Sequence, residues 1–135
     1  MKHEIVSIAA AAVYDRHKGA LLVRKRGTDA FMQPGGKIEQ GETDIETLCR
    51  ELREEISVTV NPEDLKCWGN FSAIAANEPN ASVHAQLFLF EYSGEVKVSA
   101  EIEEYRWVDP VMPTDVNLAP LTRDHVLPLL AKLFE

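Results

Sequence analysis

The sequence predicts a mixed α/β or α+β fold in which a sheet is sandwiched between helices, and three observations carry that expectation. β-type runs lie on both sides of one strongly amphipathic helical segment, a second helical pattern closes the chain, and the composition is that of an ordinary globular protein. At 135 residues the chain has the size of a single domain, so residues 1–135 are expected to fold as one unit.

The elements follow in order. Ile5 to Tyr14 and Ala20 to Arg26 are β-type runs separated by the polar stretch Asp15 to Gly19, a pattern for a hairpin. Pro34, Gly35 and Gly36 form a turn signal, free of side-chain obstruction, that can turn backbone N–H groups toward an anion. Thr43 followed by Glu46 is a capping box, so a helix is expected from Thr43 to Ile56. Ile45, Leu48, Cys49, Leu52 and Ile56 draw its apolar stripe. Further strands are expected at Val58–Val60, Leu65–Ala76, Ser82–Tyr92 and Tyr105–Val108, with Asn77 to Asn80 as a loop. Thr122 is placed to cap a last helix reaching Phe134, with Leu127, Leu130, Leu133 and Phe134 inward. Pro128 interrupts it and moves the expected start toward Leu127.

Charge and composition narrow the function. A net charge of −8 speaks against general affinity for nucleic acid, which feeds on basic surface. An anionic substrate would be repelled at long range, so its binding must rest on local cations. No apolar run is long enough to span a membrane. The opening Met1-Lys2-His3-Glu4 leads into an apolar run without a small-residue cleavage site and is read as the approach to a first strand, not a signal peptide. Cys49 and Cys67 are expected to be buried free thiols of a cytoplasmic protein.

Glu51, Glu54 and Glu55 lie at i, i+3 and i+4, so their carboxylates share a stripe beside the apolar one. Hard cations such as Mg2+ take carboxylate oxygens and keep waters that a phosphorylated substrate can share. The spacing alone fits a cation seat and a solvated acidic face equally.

The stretch from Gly36 to Val58 resembles the Nudix box, G-x5-E-x7-R-E-U-x-E-E-x-G-U with U aliphatic. Gly36, Glu42, Arg50, Glu51, Leu52, Glu54, Glu55 and Val58 match, and Ser57 stands where the pattern has Gly. At ordinary residue frequencies such a match arises by chance roughly once in ten million starting positions. The resemblance implies a mixed, partly curled sheet between helices. It also implies hydrolysis of nucleoside diphosphates linked to another moiety, by water attack on phosphorus with Mg2+ or Mn2+. Glu51, Glu54 and Glu55 match the metal ligands, with Gly36 beside them. Glu51 and Glu54 are also expected to be catalytic, with Arg50 orienting the glutamates through its guanidinium. Glu42 is expected to cap or to hold a water behind the metal. The general base is either a box glutamate or one from a later loop, for which Glu101 is the candidate, with Glu103 and Glu104 beside it. Homodimers are frequent among similar proteins.

For the substrate, Arg26-Gly-Thr-Asp29 and Gly35-Gly-Lys-Ile-Glu39 look similar to the MutT-type branch, which acts on oxidised nucleoside triphosphates. That likeness makes Arg26, Gly35, Gly36 and Lys37 candidate substrate contacts and Asn117 a candidate reader of the base. Members acting on ADP-ribose or nucleotide sugars are the alternative, although the proline that ADP-ribose hydrolases commonly carry beyond the box falls at Ile74 here. Phe31, Phe71, Phe88 and Trp107 are aromatics that could stack on a base or fill the core. A nucleotide-binding module that cleaves nothing is the third reading. An adventitious Ca2+ domain is set aside because the EF-hand spacing is missing.

Overall fold

The computed structural model describes residues 3–134; Met1 and Lys2, where the chain was expected to approach its first strand, lie outside them. Strands β1 (Glu4–Asp15), β2 (Gly19–Lys25), β3 (Phe31–Met32), β4 (Gly35–Lys37), β5 (Lys66–Ile74), β6 (Ala81–Glu91) and β7 (Ile102–Val108) form one mixed sheet. Its order is β3-β2-β1-β6-β5, with β4 on β1 and β7 on β2. Helix α1 (Asp44–Ile56) covers one face and the C-terminal helical segment, which includes α2 (Leu127–Ala131), covers the other.

β1 is the spine. It runs parallel to β6 from the Glu4↔Ala81 pair to Tyr14↔Glu91. Its other edge is divided: Ile8 to Ala10 pair with β4, while Tyr14 and Asp15 pair with β2 as the expected hairpin. The sheet forks there, and β2, β3 and β7 curl away from β4. Ala9, Ala10, Ala11 and Ala12 are fully buried in the middle of β1, although Ala is a poor strand former. Their small size serves both layers: Ala9 and Ala11 meet Leu48, Leu52 and Ile56 of α1, and Ala10 and Ala12 meet Leu121, Val126 and Leu130. Each of those large side chains stabilises the fold by about 1.5–3 kcal/mol through burial.

α1 matches its sequence signals at both ends. Thr43 Oγ1 accepts from Glu46 N–H at 3.1 Å, and the Glu46 carboxylate accepts from Thr43 N–H at 2.9 Å. At the other end Ser57 adopts φ 60°, ψ 34°. Its N–H donates to Arg53 O while Val58 N–H donates to Leu52 O, a Schellman closure. A left-handed Ser is strained by roughly 1–2 kcal/mol, and its hydroxyl offsets part of that by donating to Lys97 O at 2.8 Å.

Several expectations are corrected. Val58 to Val60 form no strand; Val58 and Val60 plug the core beneath α1 without entering a ladder. Pro34-Gly35-Gly36 is no open turn, because Gly35 and Gly36 belong to β4. Gly35 is required there: at φ +147° a Cβ would run into the backbone of Ala9 and Ala10. The last helix does not run unbroken from Thr122, while the start near Leu127 that Pro128 led to is where α2 begins. Thr122–Val126 is a widened π turn, followed by α2 with Pro128 in its first turn and by a 3-10 turn at Lys132–Phe134. That placement gives the proline, which lacks an N–H, a position where none is needed. Cys67 is exposed on β5 and Cys49 only half-buried; both are free. Among the described residues no helix is long and apolar enough to cross a membrane.

Candidate active site

Arg50 of α1 is flanked by Glu42, which precedes the helix, and by the helix's own Glu51 and Glu54. On the outer side Arg50 Nε donates to Glu42 Oε2 at 2.8 Å and Nη2 to Glu42 Oε1 at 3.0 Å, a two-pronged pair. Glu42 also accepts from the Thr47 hydroxyl at 2.8 Å and from Glu39 N–H at 3.3 Å. These bonds, led by that with Arg50, hold the Glu42 carboxyl down at about 2. Glu42 does not cap α1, whose cap is Thr43; it anchors the arginine. The other prong, Nη1, donates to Glu51 Oε1 at 2.9 Å and lies 3.5 Å from Glu54 Oε2. The guanidinium, its pKa raised chiefly by Glu42, is a fixed strut between Glu42 and the acids expected to matter.

On the inner side the balance reverses. Glu55 is 6% exposed and accepts from Gly35 N–H at 3.1 Å. Burial, aided by the charges of Glu51 and Glu101, pushes its carboxyl up to about 8 against the pull of Gly35 N–H and Lys25. Burial also raises Glu51, opposed by Arg50. Gly36 lies hard against Glu51: a Cβ there would stand 2.6 Å from Oε1 and 2.7 Å from Oε2. The glycine pair therefore does something other than expose donors to an anion. Gly35 gives its N–H to a buried acid, and Gly36 leaves room for a second.

These residues fit a hard divalent cation. Two desolvated carboxylates pushed toward protonation, with charge acting between them, are what a cation relieves. As the side chains stand, no three His, Cys, Asp or Glu among the described residues are grouped closely enough to hold a metal ion. Glu54 is the outermost of the three, its side chain 48% exposed.

Beside Gly35 and Gly36 a cavity of about 280 Å³ opens at the fork of the sheet. Its wall carries the charged Lys25, Arg26, Lys37 and Glu101 together with the apolar Val6, Ile8, Met32 and Val83. Glu101 O accepts from Arg26 N–H at 2.8 Å, which fixes the later loop to the end of β2. The Arg26 guanidinium lies 3.5 Å from Glu103, and Lys37 Nζ lies 3.6 Å from Glu78. Asn117 is not in this cavity but in an adjoining depression that shares Thr28, Ala76 and Asn77 with it, and its carbonyl accepts from Phe31 N–H at 2.7 Å.

None of the candidate aromatics lines the cavity. Phe88 and Phe31 are buried, Phe31 beneath the Arg106 guanidinium; Phe71 meets the His125 ring and Trp107 carries Lys18. Sequence reasoning missed Lys25, whose charge acts on both Glu51 and Glu55, and Gln33, which is buried at the cavity wall. Lys25 closes a β-type run and carries no motif signal. Thr122 was expected to cap a helix and instead bonds Gln33.

Comparison with known proteins agrees with this architecture. Over 92 residues the chain is 28% identical to a bis(5'-nucleosyl)-tetraphosphatase [asymmetrical] of Mus musculus, covering 65% of this chain and 61% of that protein's length. It is 30% identical over 93 residues to an 8-oxo-dGTP diphosphatase of Proteus vulgaris, covering 66% of this chain and 79% of the relative. The structure of the E. coli dihydroneopterin triphosphate pyrophosphohydrolase superposes with a TM-score of 0.77 at 17% identity, covering 98% of this chain and 99% of the other. The model of the NUDIX domain matches residues 4–130, nearly the whole chain from the first strand to α2, and the chain belongs to the Nudix family.

Proposed function

We propose that this chain is a divalent-metal-dependent hydrolase of the diphosphate linkage in nucleoside diphosphate derivatives, with nucleoside triphosphates, oxidised or non-standard ones among them, as its substrates. The observation that carries this reading is the join at Gly35 and Gly36: the desolvated carboxylates of Glu51 and Glu55 lie against them, and both glycines line a cavity whose wall carries basic and apolar side chains. Glu51, Glu54 and Glu55, with Gly36, would hold Mg2+, for which Mn2+ would substitute. Bound there, the ion supplies positive charge for diphosphate oxygens and lowers the pKa of water.

The chain's own residues do the rest. Arg50, braced by Glu42, keeps Glu51 and Glu54 aligned. Arg26 and Lys37, joined by Lys25, offer local cations to phosphate oxygens on a protein of net charge −8. Glu101, on the cavity wall, takes the proton of the attacking water as its oxygen bonds phosphorus and the bridging P–O bond breaks. A triphosphate then leaves as nucleoside monophosphate and pyrophosphate. The name of the Proteus vulgaris relative supports a triphosphate. The cavity volume supports one nucleoside rather than two, which weighs against a dinucleoside substrate held entirely inside it.

A panel of normal and oxidised nucleoside triphosphates, ADP-ribose, NADH, dinucleoside polyphosphates and nucleotide sugars, each with Mg2+, tests the reading. Release of monophosphate from triphosphates above the others is the expected result. Absence of turnover throughout, with nucleotides still bound, would replace it with a binding module.

A further inference from the structure

The cavity wall carries one buried polar side chain that neither the arginine strut nor the acids use. Gln33 follows β3 and is 7% exposed, yet it lines the cavity beside Met32. Its backbone N–H donates to Thr122 Oγ1 at 3.3 Å, and the Thr122 hydroxyl, fully buried, donates to Gln33 Oε1 at 2.6 Å. The distance orients the amide: a separation of 2.6 Å belongs to O–H···O bonds and is short for N–H···O. The oxygen is therefore the end that faces Thr122, and Nε2 is the other. It has no acceptor among the described residues, yet it is not one of the buried atoms sealed away without a partner. Gln33 retains a small accessible surface and is one of the residues that line the cavity.

We propose that Gln33, oriented by Thr122, determines base specificity by donating a hydrogen bond to a carbonyl oxygen of the nucleotide base. Keto bases such as guanine, hypoxanthine and uracil are then preferred over their amino counterparts. The inference rests on the reading that this cavity takes a nucleoside triphosphate. Lys25, Arg26 and Lys37 on the cavity wall offer cations to the phosphates, and Val6, Ile8, Met32 and Val83 on the same wall offer apolar surface to a base. An exocyclic amine set against Nε2 opposes donor to donor in a desolvated place, and sites built around such a bond reject the wrong partner more strongly than sites that judge size alone.

The test is kcat/KM for ITP against ATP and for UTP against CTP, pairs that exchange a keto oxygen for an amine at the same ring position. The wild type is expected to favour the keto member by about 10–100-fold. Gln33→Met should bring the ratio to about one, and Gln33→Glu, which presents an acceptor instead of a donor, should invert it. Thr122→Val should collapse the ratio and Thr122→Ser restore it, whereas a merely structural role would change both members of a pair alike. Equal rates in the wild type, or a preference that survives Gln33→Met, overturn the inference. Calorimetric binding of IMP against AMP separates this from failure of the hydrolase reading. IMP favoured by the wild type and not by Gln33→Met supports the base contact even where no triphosphate is turned over, and equal binding in both overturns it.

Discussion

Glu42 and Glu55 belong to one short stretch of chain, the first just before α1 and the second near its end, and their surroundings differ as far as two carboxylates can. Glu42 accepts from Arg50, Thr47 and Glu39, and those donors hold it ionised down to about pH 2. Glu55 is buried behind β4 with Gly35 N–H as its hydrogen-bond donor and two further carboxylates acting on it, and its carboxyl is pushed up to about 8. The outer side of α1 is complete in itself. The inner side keeps a charge deficit that a divalent cation would fill, and that asymmetry separates a support from a working site.

The largest way to break this comparison is to neutralise the acids one at a time. Glu54→Gln and Glu55→Gln are each expected to lower turnover by about three orders of magnitude while circular dichroism stays unchanged. A fully active variant would remove that glutamate from the metal site. In EDTA, Glu55→Gln should be no less stable than the wild type, because it replaces an acid that the fold already prefers neutral.

The pH dependence of stability distinguishes the two carboxylates by sign. Glu55 has a folded pKa above its unfolded value, so its contribution is present in full below about 4.5 and is lost as pH rises toward 8. Gly35 N–H and Lys25 oppose that shift, and Glu51 and Glu101 reinforce it. In EDTA, urea denaturation should show a loss of about 3–5 kcal/mol between pH 5 and pH 9 that Glu55→Gln largely abolishes. Glu42 has a folded pKa below its unfolded value, so its contribution is present above about 4.5 and fades as pH falls through about 2. Glu42→Gln should therefore flatten the acid limb and leave the alkaline limb unchanged.

Arg50 joins the two sides, and Arg50→Lys tests whether the strut needs a fork. A lysine keeps the charge and cannot serve Glu42 with two prongs while reaching Glu51. Turnover should fall about 10–100-fold with KM little changed, and a KM effect alone would make Arg50 a substrate contact. The smallest expected effect lies at Ser57, where Ser57→Gly relieves a left-handed residue but loses the hydroxyl bond to Lys97 O. The net gain should be below about 1 kcal/mol by urea titration.

The same asymmetry explains what the sequence revealed. α1 was legible from cap to cap because its signals are local: Thr43 with Glu46, an apolar stripe, and Ser57 at the closing position. The long strands were legible because they alternate or run apolar over many residues. β3 and β4 were not, since two- and three-residue ladders with Pro and Gly beside them have no period to read. Val58 to Val60 looked like a strand because burial alternates there, but a ladder also needs a partner edge, which sequence pattern does not supply. In the site, the acids and Arg50 came from one contiguous motif. Lys25, Gln33 and Thr122 come from separate elements brought together only by the fork in the sheet, and the distance along the chain between Gln33 and Thr122 hides their bond.

Uptake of Mn2+ most directly tests the proposal that Glu51 and Glu55, together with Glu54, seat a cation. Free Mn2+ would be followed by electron paramagnetic resonance at pH 8 while metal-stripped protein is added. Saturable uptake is expected for the wild type and for Glu42→Gln, and its loss for a Glu51→Gln, Glu55→Gln double variant that remains folded. Equal uptake by the wild type and the double variant would contradict it.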